Sequence, residues 1–326
     1  MTRPLVSVII IDYKKNNPLL VECLEAIEKQ TYRNYEVILV TDYPVCLKYP
    51  KLIKKSFGHY VGPAEKRDWG AKKASGEILA FIDDDAYPGR DWLKNLVKHF
   101  SDPKIAGVGG PGVTPAGVSW VEAASGWMSA SPMGAGLYTY RFLPGKKQFV
   151  DDYPSMNLAV RRTDFLSVGG YDSHYWPGED TKLCLDLVHK LGKKIIYDPS
   201  VLVYHHRRPL WRPHLRQNGN FGLHRGFFAR ILPQTSLRPV YLGPSLMVLG
   251  LIYLLLFPWI NPILTTLGWF LFGGYLLAVA ANSVWIYHRS TSFFQGILSF
   301  PIILITHLWY GLRFLQGFFL TKKLTR

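Results

Sequence analysis

The sequence predicts an α/β fold, a mainly parallel sheet flanked by helices, followed by a C-terminal transmembrane helical region. Three observations carry this. Short β-branched runs alternate with helical patterns over the first two hundred residues. One of those runs passes directly into three consecutive aspartates. Beyond about residue 235 the apolar residues form stretches of bilayer length.

Leu5–Ile11 is a run rich in β-branched residues, as in a strand buried on both faces. Asn16-Asn17-Pro18 then signals a helix start, with Leu20, Cys23, Leu24 and Ile27 on one face. Glu36–Val40 reads as a second strand and Pro63–Ala74 as a helix ended by Ser75-Gly76. Ile78–Ile82 is a further buried strand ahead of Asp83-Asp84-Asp85; a helix over Asp91–Phe100 and a short strand at Ile105–Val108 follow. The Gly-, Pro-, Ser- and Ala-rich stretch from Gly109 to Gly145 reads as loops and short helices. Phe149–Arg161 is a strand region, and Asp180–Leu191 an amphipathic helix carrying Leu183, Leu187 and Leu191. Ile195–Tyr197 and Val201–Tyr204 are short terminal strands. In sheets of this kind ligands sit beyond the carboxyl ends of the strands.

The formal net charge is +15, and it is unevenly placed: no Asp or Glu follows Asp198, while that tail holds twelve Lys or Arg. Because these cations crowd beside apolar segments, they suit anionic lipid headgroups or phosphate-bearing substrates better than nucleic acid. Cys23, Cys46 and Cys184 lack metal-ligand or C-x-x-C spacing and read as small buried hydrophobes. Leu5–Ile11 is too short for the apolar core of a secretory leader and meets Asp12 and Lys14 at once, so the front domain is expected to stay cytosolic.

Tyr241–Ile260 and Ile263–Tyr287 are each long enough to cross a bilayer. Arg225, Arg230 and Arg238 precede the first, and His288-Arg289 follow the second, which predicts a hairpin with both ends inside. The third segment, Phe293–Leu320, contains Pro301, His307 and Arg313 and ends at Lys322-Lys323. A full crossing would place that basic end outside, against the same rule; a kinked or partly interfacial segment is the alternative. The expected division is a catalytic domain over 1–206, a basic interfacial linker over 207–238 and a membrane region over 239–326.

Three motifs could carry chemistry. Adjacent aspartates at a strand end serve as helix caps in many proteins, yet Asp83-Asp84-Asp85 repel one another unless a cation lies among them. Strand alternation turns Asp83 and Asp85 one way and Asp84 the other. Pro177-Gly178-Glu179-Asp180 fits an acidic helix start, and equally a general base at the mouth of the sheet. Tyr204-His205-His206-Arg207-Arg208 is a polar surface or a set of metal- and phosphate-binding groups.

Taken in order, several stretches match one family: Val8–Tyr13, Val37–Asp42, Arg67–Gly70 with Ala74–Glu77, Phe81–Asp85, Asn157–Arg162, Gly169–Asp172 and Gly178–Asp180. From Val6 to about Arg230 the chain resembles the inverting family 2 glycosyltransferases, whose fold is called GT-A. The resemblance implies that Asp83 and Asp85 hold Mn²⁺ or Mg²⁺ on the donor diphosphate, with His205 a further ligand. It implies a nucleotide-sugar site at Asp12, Asp42, Arg67, Asp83 and Asp84. Asp180 would be the catalytic base, with Glu179 beside it on the acceptor side. With the membrane hairpin, it implies a lipid-linked or envelope-glycan acceptor at the cytosolic face of the cell (inner) membrane. The chain departs from the family pattern at Ile11-Asp12-Tyr13, Thr41-Asp42 and Arg67-Asp68, which affects the base that is read. The stretch Gln217 to Gly226 lacks the Gln-x-x-Arg-Trp motif of processive synthases, so a single transfer is expected. The alternatives are a catalytically silent membrane scaffold that keeps the fold, and a phosphohydrolase, which the missing Gly-rich phosphate loop disfavours.

Overall fold

The computed structural model describes residues 3–46, 49 and 52–324, with the backbone alone at Ser173. The outer limits of the expected domains at residues 1 and 326 lie outside these. The chain forms two compact units, one from residues up to 115 and 140–206, the other from 116–139 and 207 onward.

The first unit opens with β1 (Val6–Asp12), α1 (Pro18–Glu28), β2 (Tyr35–Thr41), β3 (Leu52–Ser56), α2 (Pro63–Lys73) and β4 (Ile78–Asp83). It continues through β5 (Ala86–Pro88), α3 (Trp92–Val97), β6 (Ile105–Gly109) and β7 (Gly112–Val113). After α4 (Trp120–Ala130) and α5 (Pro132–Ala135), which belong to the second unit, it resumes with β8 (Gln148–Val150), β9 (Asn157–Arg161), α6 (Arg162–Ser167), α7 (Glu179–Leu185), β10 (Lys194–Tyr197) and β11 (Val203–His205). The large sheet has the order β3-β2-β1-β4-β9-β6-β10-β8. Strands β3, β2, β1 and β4 are mutually parallel, and β9 runs antiparallel between β4 and β6. The mainly parallel, helix-flanked sheet expected from the alternating pattern is present.

All seven residues of β1 are buried. Val6, Val8 and Ile10 enter one apolar core with Leu20, Cys23, Leu24 and Ile27 of α1; Ile9 and Ile11 enter the other, beneath Ala64 and Ala71 of α2. A side-chain period of two between two helical layers is what the β-branched run encodes. Asn17 starts α1 by accepting from the Leu19 N–H, and Pro18 fills the first turn. Gly70 lets α2 lie on the sheet: a Cβ there would stand 2.7 Å from Ile9 Cγ2.

Two expectations shift. The strand β3 was not read from sequence, because Lys54 and Lys55 interrupt its apolar pattern at the sheet edge. The helix expected over Asp180–Leu191 is α7 followed by a π-helical turn at Asp186–Lys190. That turn changes the phase, so Leu183 and Leu187 are buried while Leu191 is exposed.

The second unit adds α8 (Arg212–Ile231), α9 (Pro233–Ser236), α10 (Pro239–Leu256), α11 (Pro262–Ser290) and α12 (Phe293–Leu315), the last extended by a π-helical turn to Leu320. Three of its helices, Pro239–Leu256, Pro262–Ser290 and Phe293–Leu320, are long and apolar enough to cross a membrane. The stretch 207–238, expected as a linker, is largely the 20-residue helix α8. Gly222 and Gly226 bring α8 into backbone contact with α12, and Gly219 makes room for the Trp309 ring: a Cβ on Gly222 would meet the Tyr310 carbonyl at 2.5 Å. Residues 116–139, expected within the front domain, cluster here instead. They are tied in by polar bonds: Ser125 Oγ to His214 Nδ1 at 2.9 Å, the Met133 N–H donating to Asn282 Oδ1 at 3.0 Å, and the Met133 carbonyl to His307 Nε2 at 2.9 Å.

Back in the first unit, Asp68 of α2 clamps the turn that carries Tyr171. Its Oδ1 accepts the Tyr171 N–H at 2.9 Å. Gly170 sits there at φ +77°, and a Cβ on it would meet that same oxygen at 2.6 Å. Tyr171 in turn packs edge-on against Phe81, 5.2 Å between ring centres. Burial pushes the Asp68 carboxyl up to about 6. A carboxyl raised in the folded state takes up a proton on folding, so its penalty is absent below about pH 4, grows as pH rises, and is complete above about pH 6. Asp68→Asn keeps the acceptor and loses the charge. It should raise stability by about 1 kcal/mol at pH 7.5, the shift being discounted for the solvent that still reaches the group, and change little at pH 4. Melting curves of the two proteins across that range check this.

Candidate active site

Because β1, β2 and β4 are parallel and in register, their carboxyl ends deliver Asp12, Asp42 and Asp83 to one edge of the sheet; Ile11 faces Asp83 and Asp12 faces Thr41. The alternation expected at the end of β4 is present: Asp83 and Asp85 are partly exposed and Asp84 is buried. Asp84 is turned towards Asn17, whose side-chain amide donates both to Asp84 Oδ2 and, at 3.2 Å, to Asp12 Oδ1. Asp12 also accepts the Lys14 N–H at 3.0 Å, while its buried Oδ2 has no hydrogen-bond partner among the described residues. Burial first, then Asp85, Asp12 and Asp83, push the Asp84 carboxyl up to about 8.

Arg67 joins the two acidic motifs. From α2 its Nη2 reaches Asp83 Oδ1 at 2.7 Å and its Nη1 reaches Glu179 Oε1 at 2.9 Å. The guanidinium is buried and lies 5.5 Å from the centre of the Tyr171 ring. Burial disfavours the Arg67 cation, but Asp83, Tyr171 and Glu179 outweigh that and hold its pKa above the ordinary value. Burial likewise raises the Glu179 carboxyl, and the guanidinium opposes the rise. Glu179 is thus an internal anchor at the start of α7. Its neighbour Asp180 remains partly exposed on the same first turn, with Oδ1 accepting the Thr181 N–H at 2.8 Å.

A small second sheet, ordered β5-β11-β7, sets the remaining pair. Antiparallel pairing places His205 opposite Ala86, one residue from Asp85, and the His206 N–H donates to the Asp85 carbonyl at 2.9 Å. His205 Nε2 comes to 3.2 Å from Asp85 Oδ1. Tyr87 and Tyr204, facing each other across the same ladder, stack at 4.9 Å. Among the described residues no three His, Cys, Asp or Glu side chains gather closely enough to hold a metal by themselves. The Asp85–His205 pair, an oxygen and an imidazole nitrogen, fits a divalent cation that takes its other ligands from phosphate oxygens and water. Asp83, expected as a ligand, is held here by Arg67.

Asp42 is also engaged. Its Oδ1 accepts the Val61 N–H at 3.0 Å and pairs with Lys66 Nζ at 2.9 Å, both side chains being almost wholly buried. Lys66 donates at 3.0 Å to the Asp12 carbonyl as well, so it ties the ends of β1 and β2 to α2. Sequence reasoning assigned no individual site role to Lys66, Asn17 or Tyr171. A Lys-Arg pair on a helix gives no sign that both members are buried, and Asn17 was read only as a cap.

The fold of the first unit has counterparts among known proteins. Residues 7–163 match the model of glycosyl transferase family 2. A pre-mycofactocin glycosyltransferase of Mycobacterium tuberculosis is 31% identical over 166 residues, covering 50% of this chain and 34% of that protein. A glucosyl-dolichyl phosphate glucuronosyltransferase of Haloferax volcanii is 25% identical over 221 residues, 61% of this chain and 68% of its own. This chain therefore spans well under two thirds of the mycobacterial relative. Among solved structures, the mannosyltransferase PcManGT of Pyrobaculum calidifontis, in complex with GDP-Man and Mn²⁺, superposes over 98% of this chain and 88% of its own with a TM-score of 0.57 at 19% identity, which establishes a shared fold. Residues 7–163 therefore form a glycosyl transferase family 2 domain within this chain.

Proposed function

We propose that this protein transfers a sugar from a nucleotide-sugar donor to a lipid-linked or envelope-glycan acceptor at the cytosolic membrane face, with inversion at the sugar carbon and dependence on a divalent metal. The observation that carries the reading is Arg67, bonded at once to the aspartate run and to the acidic start of α7. The two motifs that donor binding and proton removal would need therefore share one sheet edge. The donor class and Mn²⁺ accord with the GDP-Man and Mn²⁺ of the structural neighbour, and the lipid-linked acceptor with the dolichyl phosphate named for the haloarchaeal relative. The basic residues flanking the first two apolar helices support the cytosolic placement.

In this reading Asp85 and His205 hold the cation, which supplies charge neutralisation on the donor diphosphate. Asp42 with Lys66, and Asp12 with Asp84, set the floor on which the nucleotide rests. Asp180 takes the proton of the acceptor hydroxyl as that oxygen forms its bond to the sugar carbon. The bond from that carbon to the phosphate oxygen breaks, and the nucleoside diphosphate leaves with the electron pair. Glu179 and Arg67 keep the first turn of α7, and so Asp180, in place.

Incubating detergent-solubilised protein with Mn²⁺, a panel of nucleotide sugars and a membrane lipid extract tests the proposal. Release of nucleoside diphosphate with one donor, abolished by chelation, is expected; donor binding without turnover on any lipid fraction would favour the silent scaffold. Asp180→Asn should lower kcat by about 100-fold to 10,000-fold while leaving donor affinity within about twofold, measured by steady-state kinetics and calorimetry. His205→Ala should raise the Mn²⁺ concentration for half-maximal rate by roughly tenfold, read from a metal titration of the initial rate.

A further inference from the structure

The second unit contains a cleft of about 590 Å³ between α8 and the end of α12. Its polar lining includes His224, Arg313, Lys322 and Lys323, and its apolar lining Leu223, Leu320 and Leu324. The helices meet closely at this point: a Cβ on Gly317 would lie 2.0 Å from the Leu223 carbonyl oxygen. Arg230 reinforces the same end by donating to the Phe318 carbonyl at 2.9 Å.

Among the described residues the charges here have no acidic partners. Glu122 is the one Asp or Glu in the unit's described residues, and it accepts the Arg207 N–H at 3.0 Å. Among the described residues no carboxylate pairs with Arg313, Lys322 or Lys323; Arg313 bonds the neutral Gln316 amide oxygen at 2.5 Å. Burial first, then Arg313 and Arg225, push the His224 pKa down to about 4. Beside these cations the surface turns apolar, with Phe319 and Leu320 strongly exposed.

We propose that this cleft binds the phosphate headgroup of an anionic membrane lipid, with Arg313, Lys322 and Lys323 on the phosphate and the lipid chains running along Leu320 and Phe319. Three cations with no carboxylate partner among the described residues answer a phosphate. The adjoining apolar side chains select an amphiphile over a soluble anion. The site is independent of sugar transfer and rests only on the chain lying in a bilayer, which carbonate extraction of membranes checks separately.

Native mass spectrometry of the full chain in detergent, titrated with phosphatidylglycerol or phosphatidylcholine, tests it. One phosphatidylglycerol adduct is expected, at an apparent affinity at least about fivefold above phosphatidylcholine. Lys322→Gln/Lys323→Gln, which alters only exposed side chains beyond the last helical turn, should weaken that adduct by roughly tenfold. Arg313→Gln should weaken it further. Arg289→Gln, an exposed cation outside the cleft, should leave it unchanged. Equal binding of the two lipids, an undiminished adduct in the lysine variant, or equal loss in the Arg289 control would overturn the proposal. Displacement of the adduct by millimolar inorganic phosphate would reassign the site to a soluble anion and overturn it as a lipid site.

Discussion

The candidate active site depends on one buried cation. Arg67 stands between Asp83 at the end of a central strand and Glu179 at the first turn of α7, residues far apart in the first unit's sequence. A buried guanidinium with two carboxylates is stable only as a set. Withdrawing one partner from such an arrangement costs about 3–5 kcal/mol, because the charge left behind cannot reach water. The arrangement therefore fixes α7 against the strand end, and with α7 the neighbouring Asp180. Tyr171 closes the guanidinium's open face, and Asp68 holds the turn from which Tyr171 comes. The cost of burying these charges falls on stability, and Asp68, Asp84 and Glu179 carry the mark of it in carboxyls pushed upward by burial.

Much of this was legible in the sequence wherever the signal is local. The β-branched runs of β1, β2 and β4 declare two buried faces residue by residue, and the structure divides them between two cores. The aspartate run lies at a strand end because hydrophobic and acidic residues abut there. What the sequence concealed depends on distant partners. Nothing near Arg67 shows that its bonds go to residues 16 and 112 positions away. His205 meets Asp85 only through β5 and β11, strands of three residues that carry too few side chains for a pattern to register. The buried Lys66 was hidden for a related reason: a lysine on a helix reads as solvent-facing until the carboxylate that neutralises it is known.

The second unit shows the same division. Three apolar segments are plain from composition, whereas residues 116–139 look like a loop, and their attachment rests on His214, Asn282 and His307 from three different helices. Polar residues in such helices are retained where they bind another segment. The end of α12 also gains meaning from its neighbours. Its Gly311 lies against the Pro244 carbonyl near the start of α10, and Arg230 of α8 bonds the carbonyls of Phe318 and Thr321. These contacts tie α12 to α10 near Gly311 and to α8 near its C-terminal end.

The bridging role of Arg67 can be measured directly by a double-mutant cycle on kcat/KM for donor turnover, using Asp83→Asn, Glu179→Gln and the pair. If both carboxylates act through one guanidinium, the two losses should overlap, with a coupling of about 1–3 kcal/mol. Losses that add to within about 0.5 kcal/mol would mean that the two motifs act independently, and would contradict the account.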